Sequence, residues 1–218
     1  MRTNKLPIFY IILSFFFLSV GTVLSQESEN LEIHQTDKQI TIDGNLDEWS
    51  DVDFFPVNVF PSGKKIEASP DISITAKFTY DSKNFYVAVE ALDDTFEFPP
   101  RGWKFGDGLY LTFVDPYEGN PSDRFYSFGF SIQNEKSFKV LVNRDREYFP
   151  VASLEDIEVE IAANEQNKSI AYEILIPFDN IVPFKPFIHD RWGINLIYID
   201  RDRDRMKTIQ LTPDMFYD

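Results

Sequence analysis

Ile72-Ser-Ile-Thr-Ala-Lys-Phe-Thr-Tyr-Asp-Ser-Lys-Asn-Phe-Tyr-Val-Ala-Val-Glu-Ala-Leu92 decides the fold. Ile72, Ile74, Ala76, Phe78 and Tyr80 alternate with Ser73, Thr75, Lys77 and Thr79, the period of two that sets one face of a strand against a core. Asp81-Ser-Lys-Asn84 supplies turn residues, and a second, mostly apolar arm runs from Phe85. The stretch reads as a hairpin whose arms are central in a sheet.

Toward the C-terminus, Arg101-Gly-Trp-Lys-Phe-Gly-Asp-Gly-Leu-Tyr-Leu-Thr-Phe-Val-Asp115 joins a loop to another alternating strand. Leu109, Leu111 and Phe113 share one face; Tyr110, Thr112 and Val114 share the other. Trp103 stands in the loop among Pro99, Pro100, Gly102 and Gly106, where the chain cannot be regular. Its indole either stacks on a flat ligand or folds back to plug the core, and residue type alone favours the plug because aromatics bury large areas.

Further strands are expected at residues 38–42, 57–60, 125–133, 138–143, 157–162, 170–176 and 194–199. Asp43-Gly44 forms a turn, and Asn45-Leu-Asp-Glu-Trp49 reads as one helical turn with Leu46 and Trp49 on one face, a structural place for Trp49. Long helical periodicity is absent. Short strands ending in Pro and Gly, with 22 phenylalanines, give an all-β fold: a two-sheet antiparallel β-sandwich of the jelly-roll or immunoglobulin-like kind.

Residues 1–25 read as a signal peptide: Arg2 and Lys5 precede an apolar run to Leu24, and Val23 and Ser25 suit a cleavage site before Gln26. A retained membrane anchor is the rival reading of that run. Residues 26–37 form a short polar tether, and residues 38–218 one domain. The expected product is monomeric, lies in the medium, periplasm or at the cell surface, and has no membrane contact after cleavage. It has no cysteine, which removes disulfides and thiol chemistry. Loss of Arg2 and Lys5 takes the net charge from −15 to −17, which argues against nucleic acid and anionic surfaces as partners.

Two histidines, His34 and His189, and the absence of Gly-x-Ser-x-Gly leave no basis for a serine hydrolase. Glycoside hydrolysis by two cleft carboxylates stays open as an alternative. Asp200, Asp202 and Asp204 begin like a calcium loop, but Arg205 replaces the turn glycine and Leu211 the bidentate acid. The run instead reads as a solvated, mutually paired hairpin. Asp93, Asp94 and Asp115 at strand ends are candidate ligands for a structural calcium; no cofactor is required.

From about Lys38 to Arg205 the order of motifs resembles the family-9 carbohydrate-binding modules and related DOMON-like sandwiches. These motifs are Ile42-Asp-Gly-Asn-Leu-Asp-Glu-Trp49, Ala76-Lys-Phe-Thr-Tyr-Asp81 with Phe85-Tyr-Val-Ala-Val89 and Asp93, Trp103 to Asp107 leading into Leu109, Tyr172-Glu-Ile-Leu-Ile-Pro177, and Trp192-Gly-Ile-Asn195. The resemblance implies a two-sheet sandwich, non-catalytic sugar binding and, in some members, structural calcium. It also implies a sugar held between two tryptophans over a floor of Glu, Arg and Asn. Trp103 matches the first wall and Asp107 opens the following strand, while Tyr110, Gly129 and Ser131 stand at the floor positions and no tryptophan follows Trp192. The resemblance turns Trp103 into a ligand surface. The candidate ligand-binding residues are therefore Trp103, Asp107, Tyr110 and Tyr126, the partner a glycan or oligosaccharide, and Trp192 structural. A sensory or protein-interaction ectodomain on the same sandwich is the other alternative. The family's last strand would follow residues 207–212, so the domain is expected either to lack it or to improvise it from residues 214–217.

Overall fold

The computed structural model describes residues 31–66, 72–100, 103–114, 125–144, 153–182, 184, 192–203 and 205–212. The leader at residues 1–25, His189 and Asp115 lie outside them. The deciding hairpin forms as its alternation requires: β2 (Ile72–Tyr80) pairs antiparallel with β3 (Asn84–Asp93) from Ile72 opposite Asp93 to Tyr80 opposite Phe85. Eight more strands complete the sandwich: β1 (Phe54–Pro56), β4 (Gly108–Val114), β5 (Phe125–Gln133), β6 (Lys136–Arg144), β7 (Glu158–Asn164), β8 (Ser169–Pro177), β9 (Gly193–Asp202) and β10 (Arg205–Gln210). One sheet has the order β1-β2-β3-β8-β7 and the other β10-β9-β4-β5-β6, with every ladder antiparallel.

Alternate residues of both sheets meet in one core, Ile74, Phe78, Val87 and Ile174 from the first and Leu109, Leu111, Phe128 and Phe130 from the second. The second arm of the hairpin is apolar from Phe85 to Val89 because both its faces are covered there, and the outward face opens to solvent at Glu90 and Leu92. Phe85, Val87, Val89 and Ala91 face the other sheet, whereas Tyr86 and Ala88 lie under Ile40 and Trp49.

That outer cover replaces the strand expected at residues 38–42, which join no ladder. Ile40 is drawn onto the face of the sheet rather than to its edge, and Trp49, fully buried, ends the expected single turn, Asp47–Trp49. Glu173 holds the cover down: Oε1 accepts from Trp49 Nε1 at 2.7 Å, and Oε2 from the backbone N–H of Asp43 at 2.9 Å and Gly44 at 2.7 Å. Upstream, Thr36 N donates to Tyr80 O, so the end of the expected tether docks beside β2.

The strand expected at residues 57–60 is shifted to Phe54–Pro56, where Pro56 is tolerated because β1 is an edge. Val57 N still reaches Ile74 O, but Val59 exchanges both backbone hydrogen bonds with Gln210 of the other sheet, at 3.0 and 2.8 Å. The segment thus crosses between sheets and covers part of the β10 edge.

Trp192 takes the plugging role considered for Trp103. Its ring centroid lies 5.5 Å from Phe85, 5.8 Å from Phe178 and 5.7 Å from Phe184, closing one end of the core. Among the described residues, no helix is long and apolar enough to cross a membrane.

Candidate functional site

The opposite end of the core is lined by acids. Asp93 closes β3, Asp107 immediately precedes β4 and Asp200 lies in β9; all are at most 2% exposed, and an oxygen of each lies within 4.8 Å of the others. Parity puts them there: Asp93 continues the inward series Val89, Ala91, and Asp200 the series Leu196, Tyr198. The expectation that Asp200 belongs to a solvated hairpin is therefore corrected. The hairpin forms, with Asp202 opposite Arg205, but its first aspartate points into the core because its predecessors do.

Asp107 Oδ2 accepts from Glu97 N at 2.6 Å and Oδ1 from Arg201 N at 2.7 Å. Asp93 accepts from Thr95 N at 3.0 Å and Tyr198 Oη at 2.9 Å. Among the described residues, the partners of these two carboxylates are uncharged, whereas Asp200 meets Lys207 Nζ at 3.0 Å. Burial, reinforced by the neighbouring acids, pushes the Asp107 carboxyl up to about 8 and that of Asp93 to about 6, against hydrogen bonds that pull the other way. Tyr172 stands edge-on to Tyr198 with centroids 6.4 Å apart, and Asp107 and Asp93 are the charges that act on its hydroxyl. Tyr172 Oη is fully buried and, among the described residues, has no hydrogen-bond partner.

Three oxygen-bearing groups on separate elements, two of them without counter-charge among the described residues, fit a hard cation better than a soft one. Of the acids expected to bind calcium, Asp93 is here. Asp94 is exposed beside it and groups with Asp93 and Asp202; Asp115 lies outside the described residues. Asp107 and Asp200, which complete the cluster, were not expected in it, although their parity with Leu109 and with Tyr198 was the available signal.

Residues 94–100 and 103–107 hang from this cluster. Besides the bond to Asp107 Oδ2, Glu97 O accepts from Asp107 N at 2.8 Å and Glu97 Oε1 from Arg203 N at 2.7 Å. A Cβ on Gly106 would meet Glu97 O at 2.1 Å and Pro99 Cδ at 2.4 Å, so only glycine lets the segment fold onto itself. The segment ends in the 3-10 turn Trp103–Phe105, in which Lys104 is exposed and Phe105 is 53% exposed. Trp103 contributes backbone to that turn; its side chain is outside the described residues.

Beyond the turn, Tyr110 faces outward from β4, flanked by Gly129 of β5 and Ile197 of β9. It is half-buried, and burial alone pushes its phenol up to about 12. Ser131 shares that face, but Ser131 Oγ donates to Asp107 O at 2.6 Å. Below Tyr110, Thr112 lies beside Ser127, their hydroxyls 3.2 Å apart, with Asn195 on its other side. Two expected ligand residues are corrected. Tyr126 is opposite Phe113 on the inward face, fully buried, and gives its hydroxyl to Val182 O, because it shares the parity of Phe128. Asp107 is fully buried with both oxygens engaged, so it anchors the turn rather than touching a ligand.

Two solved structures of a family 9 carbohydrate-binding module from Caldicellulosiruptor kristjanssonii, one in complex with glucose and one with cellotriose, share this fold with TM-scores of 0.58. They are 15% and 16% identical to this chain, and the likeness covers 82% of it and 84% and 83% of theirs. No curated protein matches the chain by sequence. Residues 42–213, over three quarters of the chain, match the model of the carbohydrate family 9 binding domain-like family. The chain belongs to that family.

Proposed function

We propose that this protein is a non-catalytic glycan-binding module that holds a neutral oligosaccharide against the turn Trp103–Phe105 and the ring of Tyr110. The observation that carries this is the placement of Tyr110, outward and half-buried, on the strand that leaves a turn with an exposed aromatic ring. A flat ring can take the CH face of a sugar without any charge, which suits a neutral ligand and a chain of net charge −15. The family and the two structures holding glucose and cellotriose support sugar as the ligand class.

Binding rests on stacking more than on a polar floor, since Tyr110 and Gly129 replace charged floor residues and Ser131 is turned to the backbone of Asp107. The clustered acids are sealed in the core, out of reach of a glycosidic bond, which supports binding without hydrolysis. The leader-like residues 1–25 support an exported module. Calorimetry with glucose, cellotriose and other neutral oligosaccharides, read beside product analysis of the same mixtures, tests this. Saturable binding without cleavage is expected; silence across a neutral glycan array would overturn the reading.

A further inference from the structure

We infer that Glu97 positions the glycan-facing turn, by clamping the loop that carries Trp103–Phe105 to the tip of the β9–β10 hairpin. In this role it acts through the turn rather than on the sugar. The clamp stands on its own geometry; its consequence for glycan binding rests on the reading above.

Glu97 and Asp107, ten residues apart, close the base of the loop reciprocally. Glu97 N donates to Asp107 Oδ2 at 2.6 Å, and Asp107 N to Glu97 O at 2.8 Å. That closure alone leaves the loop able to swing as one piece. Two further bonds oppose the swing because they reach different residues of one hairpin: Asp107 Oδ1 accepts from Arg201 N and Glu97 Oε1 from Arg203 N, each at 2.7 Å. The Asp107 side is held besides by β4, which it precedes, and by Ser131 Oγ, which donates to its carbonyl at 2.6 Å. Glu97 belongs to no strand, so among the described residues its bond to Arg203 is what ties that side to the hairpin.

Phe96 and Phe98 stack with centroids 6.3 Å apart and pack on the core, so backbone alternation turns the Glu97 side chain away from them and toward the hairpin. Their packing holds the loop down without fixing its angle, since apolar contact is non-directional. Arg203 makes its bond from a left-handed backbone, φ 50°, which favours glycine. Such conformations persist where the surroundings fix them, and they collect at ligand clamps. Gly106 lies so close that a Cβ on it would meet Glu97 O at 2.1 Å, so turn and clamp move together. A ring that stacks on a sugar must be held at its angle beforehand, or binding has to order the loop and loses affinity.

The test compares Glu97→Ala with Glu97→Gln in the purified protein. Glutamine keeps an oxygen for Arg203 N; alanine does not. With no glycan present, tryptic cleavage after the exposed Lys104 should run roughly three to ten times faster in Glu97→Ala, the opening that one lost hydrogen bond allows. Affinity for cellotriose, or for the neutral array glycan that binds in its place, should fall by a similar factor in calorimetry. The unfolding midpoint should drop by no more than about 4 °C, the effect of a single hydrogen bond in a domain of this size. Glu97→Gln should stay within about twofold of the parent in cleavage and in affinity, because it keeps the acceptor. Cleavage unchanged in Glu97→Ala, or equal opening in both variants, overturns the clamp. A larger fall in the midpoint of Glu97→Ala overturns positioning in favour of a plain structural role, and faster cleavage with undiminished glycan affinity overturns it as well. Opening in Glu97→Ala but not in Glu97→Gln, in a protein that ignores every neutral glycan, upholds the clamp while removing the glycan reading.

Discussion

The same three strands, β3, β4 and β9, close the core at both ends, and they do it with opposite chemistry. At one end Phe85, Phe113 and Trp192 pack with Phe178 and Phe184, rings meeting tilted or edge-on at 5.5 to 6.2 Å. At the other, Asp93, Asp107 and Asp200 sit with Tyr172 and Tyr198. Ring packing is self-sufficient: it needs only apolar surface removed from water. Closure by acids is directional and unbalanced in charge, so it weakens the fold unless a cation or a proton enters, yet it can hold a loop by named hydrogen bonds. Departures from plain core packing are expected where function lies, and the proposed glycan face hangs from the acidic end.

The largest expected effect breaks the aromatic end. Trp192→Ala should cost roughly 3 to 5 kcal/mol in denaturant unfolding, as truncation of a packed aromatic does, and the loss should be the same with calcium or chelator. A cost under about 1 kcal/mol would mean that the rings are not what closes the core. The next effect breaks the acidic end: with the structural calcium that the resemblance implies bound there, chelation should remove about 2.7 kcal/mol from protein previously held at a hundredfold excess of calcium over Kd. The ends are eight residues apart along β3, from Phe85 to Asp93, or roughly 27 Å by strand rise. The two losses should therefore add in Trp192→Ala protein given chelator; strong non-additivity would show that they are one unit.

A third effect sharpens the contrast, because the aromatic end also has a carboxylate, and this one is satisfied. In the β2–β3 turn, Asp81 Oδ1 accepts from Lys83 N at 2.6 Å and Asn84 N at 2.7 Å, and Oδ2 from Tyr86 Oη at 2.8 Å. Partial burial works against its ionisation, but these hydrogen bonds outweigh that and hold the carboxyl below its ordinary 3.8. Burial, then the bond to Asp81, pushes the Tyr86 phenol to about 12. A carboxyl whose folded pKa is depressed stabilises the fold above its unfolded pKa and loses that contribution as pH falls through the folded value. Asp81→Ala should thus cost about 1 to 2 kcal/mol at neutral pH, with the gap from the parent closing below about pH 4. A gap independent of pH between 3 and 7 would show the carboxylate charge to be idle.

How far the sequence could be read follows the same division. Alternation alone yields the β2–β3 hairpin, the inward face of β4 and the sandwich, since a period of two admits one answer once a core exists. It also contained the correction for Tyr126, two residues before Phe128, and for Asp200, two after Tyr198. Aspartate in such a series reads as solvent until neighbours across the core are known, and Asp93, Asp107 and Asp200 come from positions up to 107 residues apart. Residues 38–42 read as a strand because they alternate, yet they lie across a face rather than along an edge, with Ile40 beside the correctly expected turn of Trp49. Nothing local distinguishes the two.

The smallest expected effect concerns affinity rather than stability, and it decides whether the acidic end positions a ligand surface at all. The backbone of the turn Trp103–Phe105 is fixed from behind, by Asp107 on Glu97 N and Arg201 N and by the close approach of Gly106 to Glu97 O. Trp103→Ala should therefore leave the unfolding midpoint nearly unchanged while removing a stacking contact worth on the order of 1 kcal/mol, about fivefold in Kd. Phe105→Ala, at a ring already 53% exposed, should be as silent in stability and show whether the second aromatic of the turn shares the contact. Measuring oligosaccharide affinity and thermal unfolding on both variants, with calcium and with chelator, separates the outcomes. A Trp103→Ala midpoint that falls as far as that of Trp192→Ala would place its indole in the core. The acidic end would then be closed by a ring as well, and the contrast between the two ends would collapse into a difference of degree.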